Sequence, residues 1–500
     1  MQRMSVEQQA VLNSNAPHKR VIASAGSGKT RLVVGQISEW MHQGAAPEST
    51  VAITFTRRAG EELRRRLRAE HDVSLGYVGT VHGMAYLALW MNGEKLTPLA
   101  DDELVAVVEH VAEVSRLRSS ICPKVIKTAK GDSVSNMKPQ EFALARAVER
   151  YMTTNELVHV GQFVNRFGAR LMMDDDLLAW VRARTRTVLW DEFQDVNDAD
   201  ATVLELLQPT RSLVVGDPAQ AIFGFRGSSD SHLWKCTGEA FSLSFNYRSR
   251  PNVLAVANRL RHKTNQLVAM RTDGPGIVRT FDVSDPYALG DAALDAVRDA
   301  AWVGQLPVHV LCRSNLEVAA VRDRLAAANM SVTVASPNFD PYAERPWTDL
   351  YMMVRHVCAP KCEWLETKVR SFGVSGTQLW DVDPTRDTAR SVLRRVSPED
   401  AASLPHGVAD MPALDFAAWY QRRDLEDLMP ESGQADVVVM TAHASKGLEF
   451  DSVVVAGLGH SMGRDMNDRE EGNLVYVACT RAKNELALVG DPAYTANLTD

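Results

Sequence analysis

Short apolar runs rich in β-branched residues recur along the chain, each closed by polar or glycine-containing residues. They are RVIASAG near 20, VAITFT at 51, TVLWDE at 187, SLVVGD at 212, PVHVLCR at 307, ADVVVMT at 435, SVVVAGL at 452 and ELALVGD at 485. Runs this short and continuously apolar predict strands covered on both faces. Between many of them lie segments with helical spacing, such as TRLVVGQISEWMHQG and RRAGEELRRRLRAEH. Buried strands alternating with helices predict an α/β fold built on parallel sheets.

Two regions break the rhythm, 81–180 and 337–433, where Leu, Ala, Arg and Glu at helical spacing dominate and strand-like runs are scarce. They read as mainly helical insertions. The expected organisation is therefore a first lobe from 1–80 and 181–243, interrupted by 81–180, and a second from 244–336 and 434–500, interrupted by 337–433. The first insertion contains a loop-like stretch with Arg116, Arg118, Lys124, Lys127, Lys130 and Lys138. A solvated charged face and a contact to a phosphate backbone both fit it.

Composition sets limits only. The 500 residues are 45% hydrophobic, enough for three or four domains at ~100–200 residues each. Six scattered cysteines read as reduced thiols rather than a disulfide framework, which points to an intracellular protein. The N-terminus lacks an apolar signal core, and no stretch approaches the ~20 apolar residues of a membrane span. A net charge of −8 argues against a surface built wholly for polyanions, although a local groove can oppose the sum.

The chemistry starts at ASAGSGKT, residues 23–30. It fits G-x-x-x-x-G-K-[ST] except that Ala23 replaces the first glycine. Gly26 and Gly28 let backbone N–H groups face phosphate oxygens, Lys29 neutralises the outer phosphates, and Thr30 offers a hydroxyl to Mg²⁺. In TVLWDEFQD a strand delivers Asp191 and Glu192 together, one acid for the metal shell and one to orient and deprotonate the attacking water. Gln220 follows a third strand, where it would sense the γ-phosphate. Arg248 in FNYRSRPN and Arg481 in VYVACTRAK lie close to apolar elements, where a cation could stabilise a phosphoryl transition state.

Taken in order, the segments MSVEQQAVL, ASAGSGKT, ITFTRRAGEEL, GTVHG, VLWDEFQD, VVGDPAQAIFGFRG, LSFNYRS, LCRSN, MTAHASKGLEF and EGNLVYVACTRAK resemble the motif series of UvrD/Rep superfamily 1 helicases, PcrA-like. The resemblance runs from residue 4 to about 490 and implies two RecA-like lobes, 1A and 2A, with insertions 1B and 2B. It implies that Ala25, Gly26, Ser27, Gly28, Lys29 and Thr30 hold ATP. Gln8 would read the adenine edge, Arg31 and Tyr247 would sandwich the base, and Glu449 would touch the nucleotide from the second lobe. Arg248 and Arg481 would be arginine fingers, and Thr30 and Asp191 would hold Mg²⁺.

A motor also needs a grip. Phe223 and Phe225 flank Gly224 and precede Arg226, a pattern that reads as an exposed loop on which bases stack. The resemblance adds Phe55, Arg57, His82, Thr441 and His443 to a single-strand track. It implies 3′ to 5′ translocation on DNA with inchworm stepping and separation of duplex strands. Implied partners are single-stranded DNA and single-strand/duplex junctions, with a loading, repair or replication partner. A monomer acting in a bacterial cytoplasm, or a host's if phage-encoded, completes the expectation.

Several positions depart from the family pattern. Phe225 stands where Trp is commoner, Ala221 where Ser is common, and Asn473 where Arg is usual, the last weakening one polar link between nucleotide and strand. The second insertion is short for a 2B domain. The chain ends 19 residues after Arg481, without the partner-binding tail of larger relatives. A competing reading is therefore a single-strand translocase or motor subunit that displaces proteins and unwinds little alone. A phosphotransferase would leave GFRG and TAHASKG without a role, and a catalytically dead scaffold would not need Lys29, Glu192 and both arginines. RHVCAPKC, with His356, Cys358 and Cys362, offers too few ligands for a metal site and reads as free thiols at a helix end.

Overall fold

All eight apolar runs are strands in the computed structural model, four in each of two parallel sheets. The structure describes residues 4–118, 121–131, 134, 136–261, 266–302, 306–335, 346–359, 362–374, 376–379, 382–404, 407–422, 435–464 and 468–499. The chain divides into two compact units. One contains 1–88, 167–337 and 429–500, the other 89–166 and 338–428.

In the first unit, one sheet runs in the order Tyr77–Gly79, Thr50–Ile53, Thr187–Trp190, Arg211–Gly216, His18–Ala23, Glu239–Leu243. The four inner strands carry the predicted runs, and helices such as Lys29–His42 cover them with Leu32, Val33, Ile37 and Trp40. Its register sets the site. Ile22 pairs with Gly216, and Trp190 with Val214, so the residues that follow these strands, Ser24, Asp191 and Asp217, leave from the same edge. Ligands of open parallel sheets gather at that carboxyl edge.

The second sheet runs Ile277–Asp282, Ala482–Gly490, Phe450–Leu458, Val308–Cys312, Val437–Thr441, Val332–Val334. Its four central strands are again the predicted runs, while the edge strands are half-exposed. The edge strands Glu239–Leu243, Ile277–Asp282 and Val332–Val334 have one side uncovered and need no continuous apolar run, whereas the mostly buried Tyr77–Gly79 is too short to show one.

Among its described residues the second unit is mainly helical, with one short parallel pair, Thr97–Leu99 with Leu157–His159, and an isolated bridge between Thr388 and Pro412. Helices Asp101–Val114, Cys122–Lys130 and Pro139–Thr154 share a single apolar core with Trp347–Cys358, Glu363–Ser371 and Ala413–Arg422, in which Leu104, Val107 and Val148 are buried together with Leu350, Trp364 and Phe416. Inside this core the carboxylate of Glu103 accepts from Tyr351 Oη at 3.1 Å and Arg355 Nε at 2.8 Å.

Part of the basic stretch differs from the loop expected. Cys122–Lys130 is a helix with Pro123 in its first turn and Gly131 in left-handed conformation after its end, burying Cys122 and Val125. Lys124 donates to the Asn136 carbonyl, and Lys130 pairs with Asp101 at 2.6 Å.

Candidate nucleotide and nucleic-acid sites

Ala23 is the last residue of its strand and fully buried, so the missing first glycine falls where the backbone is extended and no glycine is required. The turn needs its glycines further on. Gly26 (φ 68°) and Gly28 (φ 79°) are left-handed. A Cβ on Gly26 would lie 2.5 Å from Asn246 Nδ2, and one on Gly28 2.8 Å from Gln8 Nε2. Asn246 donates to the Ala25 carbonyl at 2.8 Å, and the Tyr247 amide to that of Gly26 at 2.8 Å. The segment Asn246–Arg248 thus lies against the phosphate loop.

Gln8 is buried and held by both ends of its amide. Its Oε1 accepts from Ser5 N in a helix-capping box, and its Nε2 donates to the Ser27 carbonyl at 3.0 Å. Arg31 is half-buried and Tyr247 exposed.

Lys29 Nζ lies 2.7 Å from Glu192 Oε2. Burial works against charge on all three groups here, but Glu192, Asp191 and Asp217 together hold the Lys29 pKa up. Burial and the adjacent Glu192 carboxylate raise Asp191, whereas Lys29 and Lys446 overcome burial and keep Glu192 low. Glu192 is thus ionised while Asp191 sits in excess negative charge. The chemistry of two carboxylates and the Thr30 hydroxyl, hard oxygen donors, suits a divalent cation that retains water and phosphate ligands. Among the described residues no group of three or more His, Cys, Asp or Glu could hold a metal by itself.

The two arginines come from different places: Arg481 directly precedes the second-sheet strand Ala482–Gly490, and Arg248 follows the short strand Phe245–Asn246 outside that sheet. Arg481 is 1% exposed. It donates to the carbonyls of Val477 and Leu448, each at 3.0 Å, and its Nη2 stands 3.4 Å from Gln220 Oε1. Burial, with Arg248 nearby, pushes its pKa down to about 9. Arg248 Nε pairs with Glu449 at 2.7 Å, and Glu449 also meets Lys483 at 3.1 Å. Asn473, where a polar link was expected to weaken, donates to the Pro218 and Ala221 carbonyls at 3.1 and 2.9 Å. It binds the Gln220 loop directly to the helix Arg469–Cys479.

Three to five residues beyond Gln220 an aromatic cluster forms. Phe55 stacks on Phe223 with centroids 5.3 Å apart and planes at 16°, and His443 lies 5.7 Å from Phe225. Arg226 covers both Phe223 and Phe225 at 5.1 and 5.5 Å. Phe225 is 67% exposed and Phe55 39%, but Phe223 only 7%. The expectation that both loop phenylalanines face outward is corrected: Phe223 supports the cluster from beneath, because stacking on Phe55 turns it inward. Arg57 is exposed, His82 half-buried, and Thr441 Oγ1 accepts from the Ala444 amide.

Residues not singled out in the sequence join these sites. Lys446 Nζ contacts both Asp195 oxygens and the Gln220 carbonyl at 2.6 Å, and lies 4.8 Å over the Phe223 ring. Lys446 and Asp195 stand within quoted motifs, yet their pairing spans 251 positions and leaves no local signal. A cavity of about 500 Å³ opens at the opposite edge of the first sheet, beside His18 and Ser212, away from the phosphate loop. Cys358 and Cys362 are free thiols.

A phosphate loop at the carboxyl edge of one parallel sheet, with Arg481 at the start of a strand of a second parallel sheet set against Gln220, defines a two-lobed P-loop protein of RecA-like architecture. The UvrD/REP helicase N-terminal domain matches residues 4–239, and the UvrD-like helicase C-terminal domain matches 418–490. The chain belongs to the UvrD/Rep helicase family. It is 27% identical to the ATP-dependent DNA helicase UvrD2 of Mycobacterium tuberculosis, over 96% of this chain and 77% of the relative. It is 25% identical to the ATP-dependent DNA helicase PcrA of Leuconostoc citreum (94% and 79%) and 24% identical to DNA helicase II of Escherichia coli (94% and 81%). Among the described residues no helix is long and apolar enough to cross a membrane.

Proposed function

We propose that this UvrD/Rep family protein is an ATP-dependent DNA helicase that translocates 3′ to 5′ on single-stranded DNA and separates duplex strands at junctions. One observation carries the reading. The loop from Asp217 to Arg226 holds Gln220 against Arg481 at one end and Phe223 and Phe225 against His443 at the other. A change at the phosphates therefore reaches the aromatic platform within a few residues.

In this reading Lys29 leaves Glu192 for the outer phosphates of ATP, and Glu192, freed, orients and deprotonates the attacking water. Arg248 and Arg481 spread over the charge that develops on the transferred phosphoryl group. Thr30 and Asp191 would hold Mg²⁺, which offsets phosphate charge. Gln8, Arg31, Tyr247 and Glu449 hold the nucleotide, while Phe55, Arg57, His82, Phe225, Arg226, Thr441 and His443 line the strand, supported by Phe223. The domain scheme follows: 1A from 1–80 and 181–243, 1B from 81–180, 2A from 244–336 and 434–500, and 2B from 337–433. A cytoplasmic monomer with a loading or repair partner fits the same reading.

The test is steady-state ATP hydrolysis with and without single-stranded DNA, single-stranded RNA and blunt duplex, followed by unwinding of duplexes with 3′ or 5′ tails. Stimulation by single-stranded DNA and unwinding from 3′ tails are expected. A rate indifferent to nucleic acid would sink the motor reading, and unwinding from 5′ tails alone would reverse the polarity.

A further inference from the structure

Arg261 lies two residues beyond the helix Pro251–Arg259, in a part of the chain that none of the motifs covers. Its guanidinium is nevertheless buried at the junction of the two sheets. Nη1 donates to Tyr476 Oη at 2.9 Å and lies 3.6 Å from Asp217 Oδ1, and Nη2 reaches Ser24 Oγ at 3.2 Å. The side chains of Arg261 and Asp217 are 6% and 0% exposed.

What Asp217 does next gives the contact its meaning. Its Oδ2 accepts from Gln220 Nε2 at 2.8 Å, and Tyr476 Oη stands 3.5 Å from the same oxygen. With its nitrogen engaged there, Gln220 can turn only its Oε1 toward Arg481. An amide has two chemically distinct ends, and the partner of one decides what the other presents. A buried carboxylate is costly unless it is paired and hydrogen-bonded, and Arg261 with the Ala219 amide, 3.1 Å from Oδ1, supplies both for Asp217.

We infer that Arg261 is a positioning residue for ATP hydrolysis: it holds Asp217 as a buried carboxylate, which orients the Gln220 amide toward Arg481 and ties that orientation to Ser24 at the root of the phosphate loop. The inference rests on the reading of Gln220 as the γ-phosphate sensor. Arg261 and Tyr476 come from the second lobe, Ser24, Asp217 and Gln220 from the first. The sensor is therefore set only when the two lobes meet, and Arg261 makes lobe contact a condition of sensing. Lysine would keep the charge but not the fork that reaches Asp217, Tyr476 and Ser24 together.

The test compares DNA-stimulated ATP turnover, KM for ATP, and the affinity of fluorescent ADP in five proteins: wild type, Gln220→Ala, Arg261→Lys, Arg261→Met/Asp217→Asn, and that double variant with Gln220→Ala added. The double change removes both charges, so no unpaired buried carboxylate remains to unfold the protein, and thermal unfolding checks this. The double variant should lose about tenfold or more in kcat with ADP affinity within about twofold, and adding Gln220→Ala should cost no more than about twofold further, as groups acting as one unit behave. Arg261→Lys should fall between wild type and the double variant. A double variant with wild-type kcat, or a Gln220→Ala loss that multiplies fully with it, overturns the inference while leaving the sensor role intact. A Gln220→Ala protein with wild-type kcat overturns the sensor role and the inference together.

Discussion

Lys446 and Asp195 form an ion pair between the two sheets, with Nζ 2.7 Å from Oδ1 and side chains 7% and 1% exposed. The ammonium also reaches the Gln220 carbonyl and the face of Phe223. One cation from the second lobe thereby touches the acidic motif, the Gln220 loop and the aromatic cluster of the first.

Removing that cation leaves a buried carboxylate with only the Gln194 amide, 2.9 Å from Oδ2, and no opposite charge paired with it. Lys446→Met should destabilise the protein by about 3–5 kcal/mol, as broken buried pairs do. Adding Asp195→Asn should recover most of the loss. Urea unfolding of the single and double variants measures both, and equal stability of Lys446→Met and wild type would show that the pair contributes nothing.

The Lys29–Glu192 pair predicts two different failures. Lys29→Ala should weaken ATP binding and abolish turnover. Glu192→Gln keeps the shape but loses the proposed base, so kcat should fall by about 10²–10⁴-fold, with the Kd of a fluorescent ATP analogue little changed. Parallel loss of binding in Glu192→Gln would argue against a role confined to the attacking water.

Phe225 and Phe223 should separate function from stability. Phe225→Ala, at an exposed ring, should cost about 1–3 kcal/mol in single-strand affinity and uncouple ATP turnover from movement. Phe223→Ala, at a buried ring, should instead cost about 3–5 kcal/mol of folding stability. Strand affinity by fluorescence anisotropy and unfolding by urea distinguish them, and equal effects in both assays would remove the distinction.

Arg481→Ala should reduce turnover by about 10³–10⁵-fold if it serves as an arginine finger, with single-strand affinity unchanged. Normal turnover would place it outside the reaction.

Acid should act through His309, which lies within the second sheet and stacks on Phe450 at 3.7 Å. Burial pushes its pKa down to about 4. The unfolded chain takes up this proton near pH 6.5 and the folded chain only near 4, so stability is full above about 6.5 and is lost as pH falls between those values. His309→Leu should therefore lessen the stability lost from pH 6.5 to pH 5 by about 2 kcal/mol. An unchanged pH slope in that variant would assign the loss to other groups, among them His443, which burial and Arg313 shift the same way, to about 4.

The sequence was legible where one residue type serves one local need. Inner strands need apolar residues at every position, the phosphate turn needs Gly26 and Gly28, and the acids follow a strand. The half-exposed outer strand Ile277–Asp282 carries no such mark, and Tyr77–Gly79 is too short to show one. Phe223 and Phe225 look alike on either side of Gly224, and only the stacking on Phe55, 168 positions earlier than Phe223, turns one inward. Arg261 with Asp217 and Lys446 with Asp195 are meetings of distant residues. No periodicity announces them. The helix Cys122–Lys130 was readable from Pro123 and Gly131, but its lysines drew the reading toward charge.

The shared core of the helical unit has a consequence for synthesis. Leu104, Val107 and Val148 are made well before Leu350, Trp364 and Phe416, with residues 167–337 emerging in between. At typical elongation rates that interval lasts roughly ten to thirty seconds. The first helices must wait that long at the ribosome with their apolar faces unmatched, so the newborn chain is most open to aggregation or chaperone capture before its second helical excursion arrives.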